Sequence, residues 1–209
     1  MQHLEEKAFL FLRNLLIHGE YMPGTLLSEN ELARQLDMSR TPIRAAISRL
    51  EGEGFLETVK NRGILVKDPS YKELLDMLEV IFTFQYYQFN YQKRNLSQID
   101  TPLLKKYLDE QLHCTSKNDY IGYVQNTLSF IRTIISGVHN AEMSKIIDGF
   151  FDRIFRFSII NYKRTPHHSH YSANAINQKM YHAILENDYE TIKQTLDKYY
   201  ETIFHRFSS

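Results

Sequence analysis

Apolar residues at Leu4, Ala8, Phe11, Leu12, Leu15 and Leu16 recur every three or four positions, which predicts an amphipathic helix from Leu4 to His18. Gly19 ends it, and Pro23-Gly24 turns the chain. Ser28-Glu29-Asn30-Glu31 has the form of a capping box and opens a short helix through Leu32, Ala33 and Leu36. Asp37-Met38 is a tight connection. Ser39 or Thr41 can cap the next helix, with Pro42 tolerated in its first turn. That helix buries Ile43, Ala46, Ile47 and Leu50 and runs to about Glu53, where Gly54 stops it. Beyond Gly54 the period drops to two. Residues 55–59 and 64–66 are predicted strands, joined by the hairpin turn Lys60-Asn61-Arg62-Gly63. Three helices and a hairpin within 70 residues predict a winged helix-turn-helix.

From Tyr71 onward no strand pattern recurs. Six helical stretches are predicted, at about 70–93, 98–115, 119–138, 141–163, 170–187 and 189–206. Asn95-Leu96-Ser97, Asn118, His139-Asn140, Thr165-Pro166 and Asn187-Asp188 mark the breaks. The expected fold class is therefore mainly α: a winged helix-turn-helix over residues 1–67 and an all-helical bundle over 68–209.

Composition sharpens that boundary. Of 14 Tyr and 13 Phe, only Phe9, Phe11, Tyr21 and Phe55 precede residue 68, while five of the eight glycines do. With one cysteine, Cys114, neither an intramolecular disulfide nor a Cys-rich zinc motif is possible. No run of about 18 apolar residues predicts a membrane span. Glu5 and Glu6 stand where a signal peptide carries positive charge, so a cytoplasmic location is expected. No Gly-rich phosphate loop, Gly-x-Ser-x-Gly elbow or paired metal motif supports an enzyme.

Charge changes the picture only when it is placed. The chain carries 25 Lys/Arg and 25 Asp/Glu, which excludes a generally basic nucleic-acid protein. Yet residues 39–50 hold Arg40, Arg44 and Arg49 and no acid. Arg40 and Arg44 lie four apart on one helix face, at the N-terminal end that enters the major groove in helix-turn-helix proteins. An arginine fork can hold guanine O6 and N7, or a phosphate, by two bonds. Ser39 and Thr41 beside them suit phosphate oxygens. Lys60, Arg62 and Gly63 at the hairpin tip can reach the adjacent backbone or minor groove. The expected DNA-binding set is Asn30, Arg34, Ser39, Arg40, Thr41, Arg44, Arg49, Lys60, Arg62 and Gly63.

These residues carry a resemblance. Residues 21–66 resemble the winged-helix domain of GntR-family transcriptional regulators through Pro23, Gly24, Leu27, Glu29, Leu32, Ala33, Leu36, Ser39, Arg40, Pro42, Ile43, Arg44, Ala46, Leu50, Gly54 and Gly63. The resemblance implies DNA contacts at Ser39, Arg40, Thr41, Arg44 and Gly63. Many members have arginine where this chain has Asn30, so operator preference is expected to differ.

The helical half resembles the effector domain of the FadR/VanR (FCD-type) branch. Phe130 to Asn140 matches one of its motifs at the ends, and Ala183-Ile184 with Asn187-Asp188 matches its C-terminal helix junction. Many members of that branch hold a divalent metal with one Asp and three His. Here the Asp place falls on Thr127 (or Asn126), and the His places fall on Ile131, Asn177 and Tyr199. None is a usual transition-metal ligand. His182 and His205, five and six residues from the last two, point to other helix faces. No metal and no other cofactor is therefore expected.

Thr127, Ile131, Asn177 and Tyr199 are instead expected to line an effector pocket with aromatic walls, suited to an aromatic or acyl-type ligand. Arg132, Arg153 or Arg156 can pair an acidic effector if one turns inward. His167-His168-Ser169-His170 reads as a solvated loop. The expected partners are double-stranded operator DNA, a small-molecule effector and a second copy of the chain, with no membrane. The expected function is a homodimeric transcriptional regulator, a repressor released by effector. The alternative is a constitutive dimeric repressor, or a partner-binding module, whose effector domain has lost its ligand.

Overall fold

The structure is a computed structural model that describes residues 2–91, 96–168 and 170–208. The predicted break at Asn95, positions 92 and 93 of the first bundle helix, Ser169 and the His205 side chain lie outside the described residues. Two compact units divide the chain, residues 1–70 and 71–209.

The first unit runs α1 (Gln2–Ile17), β1 (Leu26–Leu27), α2 (Glu29–Gln35), α3 (Arg40–Gly52), β2 (Leu56–Val59) and β3 (Gly63–Val66). Ala8, Phe9, Leu12 and Leu16 of α1 meet Ile43, Ala46, Ile47 and Leu50 of α3 in a core closed by Leu32, Phe55, Leu56, Ile64 and Val66. Asp37 makes the α2–α3 turn in the left-handed region, at φ 51°, and the Met38 N–H closes back on the Ala33 carbonyl at 2.9 Å. Aspartate tolerates that conformation better than most L-residues.

Two details depart from the sequence pattern. Ser28 and Ser39 occupy the N-cap positions of α2 and α3 in extended conformation, but neither hydroxyl makes a capping bond, so the expected capping box is not formed. The second is β1. It pairs antiparallel with β3 through Leu26↔Leu65 and Leu27↔Ile64, giving a three-stranded sheet in the order β1-β3-β2. Two residues are too short for a period-two signal. β1 also gives Gly63 a reason of its own. Gly63 has φ 114°, and a Cβ there would lie 2.8 Å from the Leu27 carbonyl oxygen.

The second unit comprises α4 (Tyr71–Tyr91), a short 3-10 turn (Leu96–Gln98), α5 (Thr101–Ser116), α6 (Tyr120–Ser136), α7 (Ala141–Arg164), α8 (Ala173–Glu186) and α9 (Tyr189–Ser208). Side-chain caps set three starts. Asp100 accepts the Leu103 N–H at 2.9 Å, Asp119 the Gly122 N–H at 2.9 Å, and Asn140 the Glu142 and Met143 N–H groups at 3.0 and 3.1 Å. The Asp100 cap, with Pro102 behind it, starts α5 later than the spacing predicts. Phe82, Phe89, Phe130, Ile134, Met180, Ile184, Ile192 and Leu196 form the centre of the bundle.

The glycines give a paired test. Gly63→Ala places a Cβ against Leu27 in a conformation L-residues avoid, and should destabilise the winged helix by about 1–3 kcal/mol. Gly52→Ala, in helix α3 with open space at its Cβ, should stabilise it by about 0.5–1 kcal/mol. Urea unfolding of the two variants checks both signs; equal midpoints would refute the assignment.

Candidate nucleic-acid interface and bundle site

Helix α3 turns its N-terminal residues outward because Pro42, Ile43, Ala46, Ile47 and Leu50 are held in the core. Ser39, Arg40, Thr41 and Arg44 are all exposed, as are Asn30 and Arg34 on α2. Lys60 and Arg62 are exposed in the turn between β2 and β3, and Gly63, the first residue of β3, is half-buried.

The three arginines of α3 differ in what already holds them. Arg49 donates from Nη1 to Glu6 at 2.7 Å, lies 3.8 Å from Glu53 through Nε, and stacks its guanidinium 3.5 Å from the Phe9 ring centroid. Arg13 of α1 reaches Glu53 at 3.1 Å. Arg49 therefore fastens α3 to α1. Among the described residues Arg44 donates only through Nε, to Glu29 Oε2 at 2.8 Å, and its side chain stays 62 % exposed. Arg40 has no carboxylate partner among the described residues. Glu6 and Glu29 carry no sequence signal of these roles, because their partners lie 43 and 15 residues away, whereas Glu53 stands four residues after Arg49.

In the bundle, the four positions expected to line a pocket lie on α6 (Thr127 and Ile131), α8 (Asn177) and α9 (Tyr199). Thr127, one turn after Tyr123, donates Oγ1 to the Tyr123 carbonyl at 2.8 Å, and half-buried Ile131 follows on the same face. The Tyr123 hydroxyl accepts the Ala173 N–H of α8 at 2.9 Å. One turn beyond Ala173, buried Asn177 donates to Gln111 of α5 at 2.8 Å. Tyr199 of α9 sets its ring edge-on to Phe82 at 5.6 Å. Its hydroxyl is near enough to those of Tyr120 and Tyr123 to disfavour their ionisation, which burial already opposes. Burial likewise holds Tyr199 neutral, well above the ordinary tyrosine range.

The three inward-arginine candidates separate. Arg132 grips Asp148 with two bonds at 2.5 and 2.8 Å, which holds the Asp148 carboxyl below its usual range, and Arg153 pairs with Glu73 at 3.0 Å. Arg132 is exposed and Arg153 half-buried; of the three, only Arg156 is buried, at 4 % exposure. In the His-rich tract His167 and His168 are exposed. His170 is not a solvated loop residue: it meets the Thr165 carbonyl at 2.6 Å and sets its ring edge against Tyr120 and Tyr162.

A model of the bacterial regulatory proteins of the gntR family matches residues 4–66, and a model of the FCD domain matches residues 93–202. The chain belongs to the GntR family. It is similar to an HTH-type transcriptional regulator encoded in the TAR-I ttuE-ttuC' intergenic region of Agrobacterium vitis, 26 % identical over 136 residues, covering 62 % of this chain and 77 % of that one. The gluconate operon transcriptional repressor of Bacillus licheniformis is 33 % identical over 95 residues, 45 % of this chain and 39 % of that one. A GntR transcriptional regulator from Rhodococcus sp. RHA1 shares the fold at TM-score 0.78 and 19 % identity, covering 99 % of this chain and 100 % of that one. This GntR protein is accordingly a transcriptional regulator with an FCD domain, and not an enzyme.

The metal that many FCD domains bind does not suit these donors. Thr127, Ile131, Asn177 and Tyr199 offer a hydroxyl bonded to backbone, a hydrocarbon, an amide and a neutral phenol. No group of three or more His, Cys, Asp or Glu side chains gathers among the described residues.

Sequence reasoning missed the polar ladder beside that site. Gln111, fully buried, donates to Asn174 at 2.8 Å, and Asn174 donates to Thr115 at 2.9 Å. A glutamine continuing the stripe of Leu104 and Leu108 was the available signal. Gln88 is a second case. It is fully buried on α4, and neither carboxamide atom has a hydrogen-bond partner among the described residues. Gly137 makes room for it, since a Cβ there would come within 2.9 Å of Gln88 Nε2. An unpaired buried amide costs about 1–3 kcal/mol. Gln88→Met, of similar size, should therefore raise the bundle's thermal midpoint, by roughly 2–4 °C per kcal/mol recovered. A lower midpoint in differential scanning calorimetry would show that the amide is bonded in solution.

Proposed function

We propose that the protein is a homodimeric repressor whose winged helices each read half of a near-palindromic operator, and that an effector bound in the FCD bundle without a metal lowers operator affinity. A two-fold protein is matched by a two-fold site. The observation that carries the DNA reading is the acid-free start of α3. There Arg40 and Arg44 face solvent with Ser39 and Thr41, while Arg49 is committed to α1. Lys60 and Arg62 in the wing and Asn30 and Arg34 on α2 extend the contact to flanking backbone. No described helix is long and apolar enough to cross a membrane.

The test uses an operator selected by the wild-type chain from random duplex DNA. Arg40→Ala or Arg44→Ala should each weaken it by about 1–3 kcal/mol if its side chain reads a base. Arg49→Ala should instead lower the unfolding midpoint of the winged helix with base preferences intact. Mobility shifts unchanged by both Arg40→Ala and Arg44→Ala at fixed salt would sink the proposal.

The bundle reading rests on two uncharged polar groups: Asn177, which is buried, and half-buried Tyr199, whose ring packs against Phe82. Thermal-shift measurements against aromatic acids, fatty acids and sugar acids should find stabilisation by one class. Protein purified without chelator should carry no tightly held metal. One equivalent of zinc, nickel or manganese per chain would overturn the metal-free site. The Gln111–Asn174–Asn177 ladder, which satisfies much of the local polar capacity internally, favours a second reading: a constitutive dimeric repressor. An absence of stabilisation by any of the three classes would select it.

A further inference from the structure

A guanidinium has two edges that can hold guanine O6 and N7 together: the end-on pair Nη1/Nη2 and the side-on pair Nε/Nη2. In Arg44 the Nε hydrogen already goes to Glu29 Oε2 at 2.8 Å, which closes the side-on edge. Glu29 belongs to the first turn of α2 and Arg44 to the second turn of α3, so the bond crosses the helix-turn-helix itself. Glu29 is 32 % exposed and Arg44 62 %, so the contact sits at the rim and the terminal nitrogens remain open to solvent. Arg40, on the same face, has no carboxylate partner among the described residues.

We propose that Glu29 is a positioning residue for operator recognition: it holds Arg44 by Nε so that the Nη1/Nη2 edge meets a guanine end-on. This rests on the reading of Arg44 as a DNA-contacting residue. Two physical effects follow. An untethered surface arginine samples many rotamers and must lose that freedom on binding, whereas a tethered one has lost most of it beforehand. A carboxylate facing DNA also repels phosphate, so it opposes sequence-independent binding wherever Arg44 finds no guanine. Glu29 therefore lowers general affinity and raises discrimination, and these opposite signs separate positioning from simple charge.

The experiment measures fluorescence anisotropy of the full chain at fixed salt. It uses the selected operator, a panel with each G·C pair of one half-site replaced, and a mixed-sequence duplex. Glu29→Ala should reduce the preference for one G·C pair by about tenfold, with mixed-sequence binding unchanged or tighter. The same pair should lose its preference in Arg44→Ala, and in that background Glu29→Ala should change no base preference further, although mixed-sequence binding still tightens as the carboxylate's repulsion is removed. Glu29→Gln, which keeps an acceptor for Nε, should retain most of the discrimination. Glu29→Asp keeps the charge but falls a methylene short, so it should lose discrimination even if Glu29→Ala folds poorly. A change in general affinity with every base preference intact, or a Glu29 effect on base preference that persists without Arg44, overturns the proposal. If Arg44→Ala itself removes no base preference, the DNA-contact reading of Arg44 fails. If Arg44→Ala does and the Glu29 variants do not, only the role of Glu29 fails.

Discussion

A guanidinium that touches a carboxylate within its own fold has committed part of the fork it would bring to DNA. Helix α3 grades that commitment along its length. Arg49 is held by Glu6, Glu53 and the face of Phe9, Arg44 by Glu29 through one nitrogen, and Arg40 by no carboxylate among the described residues. The grading follows from where α3 meets its neighbours. Near its C-terminal end α1 supplies Glu6 and Phe9 to Arg49, while nearer its start the first turn of α2 supplies Glu29 to Arg44. The same packing that buries Ile43, Ile47 and Leu50 therefore decides which arginines stay open.

That allocation gives the zero net charge a physical meaning. Sequence-independent affinity for duplex DNA grows with the number of phosphates a protein neutralises. Residues 1–67 carry nine basic and nine acidic side chains, and several of the acids are paired with bases within the fold. Fewer free cations mean weaker sliding contacts and a larger share of binding from oriented groups at the start of α3.

The fold was legible where apolar periodicity ran over several turns: all three N-terminal helices and the six bundle helices follow their stripes. It was illegible where a structure is shorter than its own period, as in β1, or where one residue answers to a distant one. Gly63 reads in sequence as a loop glycine free to approach DNA, yet its φ of 114° and its closeness to Leu27 tie it to a strand the pattern does not reveal. Arg49 looks like Arg40 and Arg44 until Glu6, 43 residues earlier, comes into view. Gln88 and Gln111 both sit on apolar stripes, and only the neighbours show that Gln111 is bonded at both carboxamide atoms while Gln88 has no partner among the described residues. His170 differs from His167 and His168 only through Thr165, Tyr120 and Tyr162.

An uncharged bundle site also limits how strongly an effector could act through it. Neutral hydrogen bonds contribute about 0.5–1.5 kcal/mol each, and coupling between two sites is commonly about 1–3 kcal/mol. Two or three such bonds, made in one arrangement of the bundle and not in another, are enough; a metal is not needed to reach that range. Asn177, Thr127 and Tyr199 stand on α8, α6 and α9, and Tyr123 already joins α6 to α8 through Ala173. A ligand bonded to all three would favour one spacing of those helices over another, which is the differential contact that a population shift requires. Coupling of that kind is reciprocal, so an effector that acted this way would in turn have its affinity altered by operator DNA by the same factor.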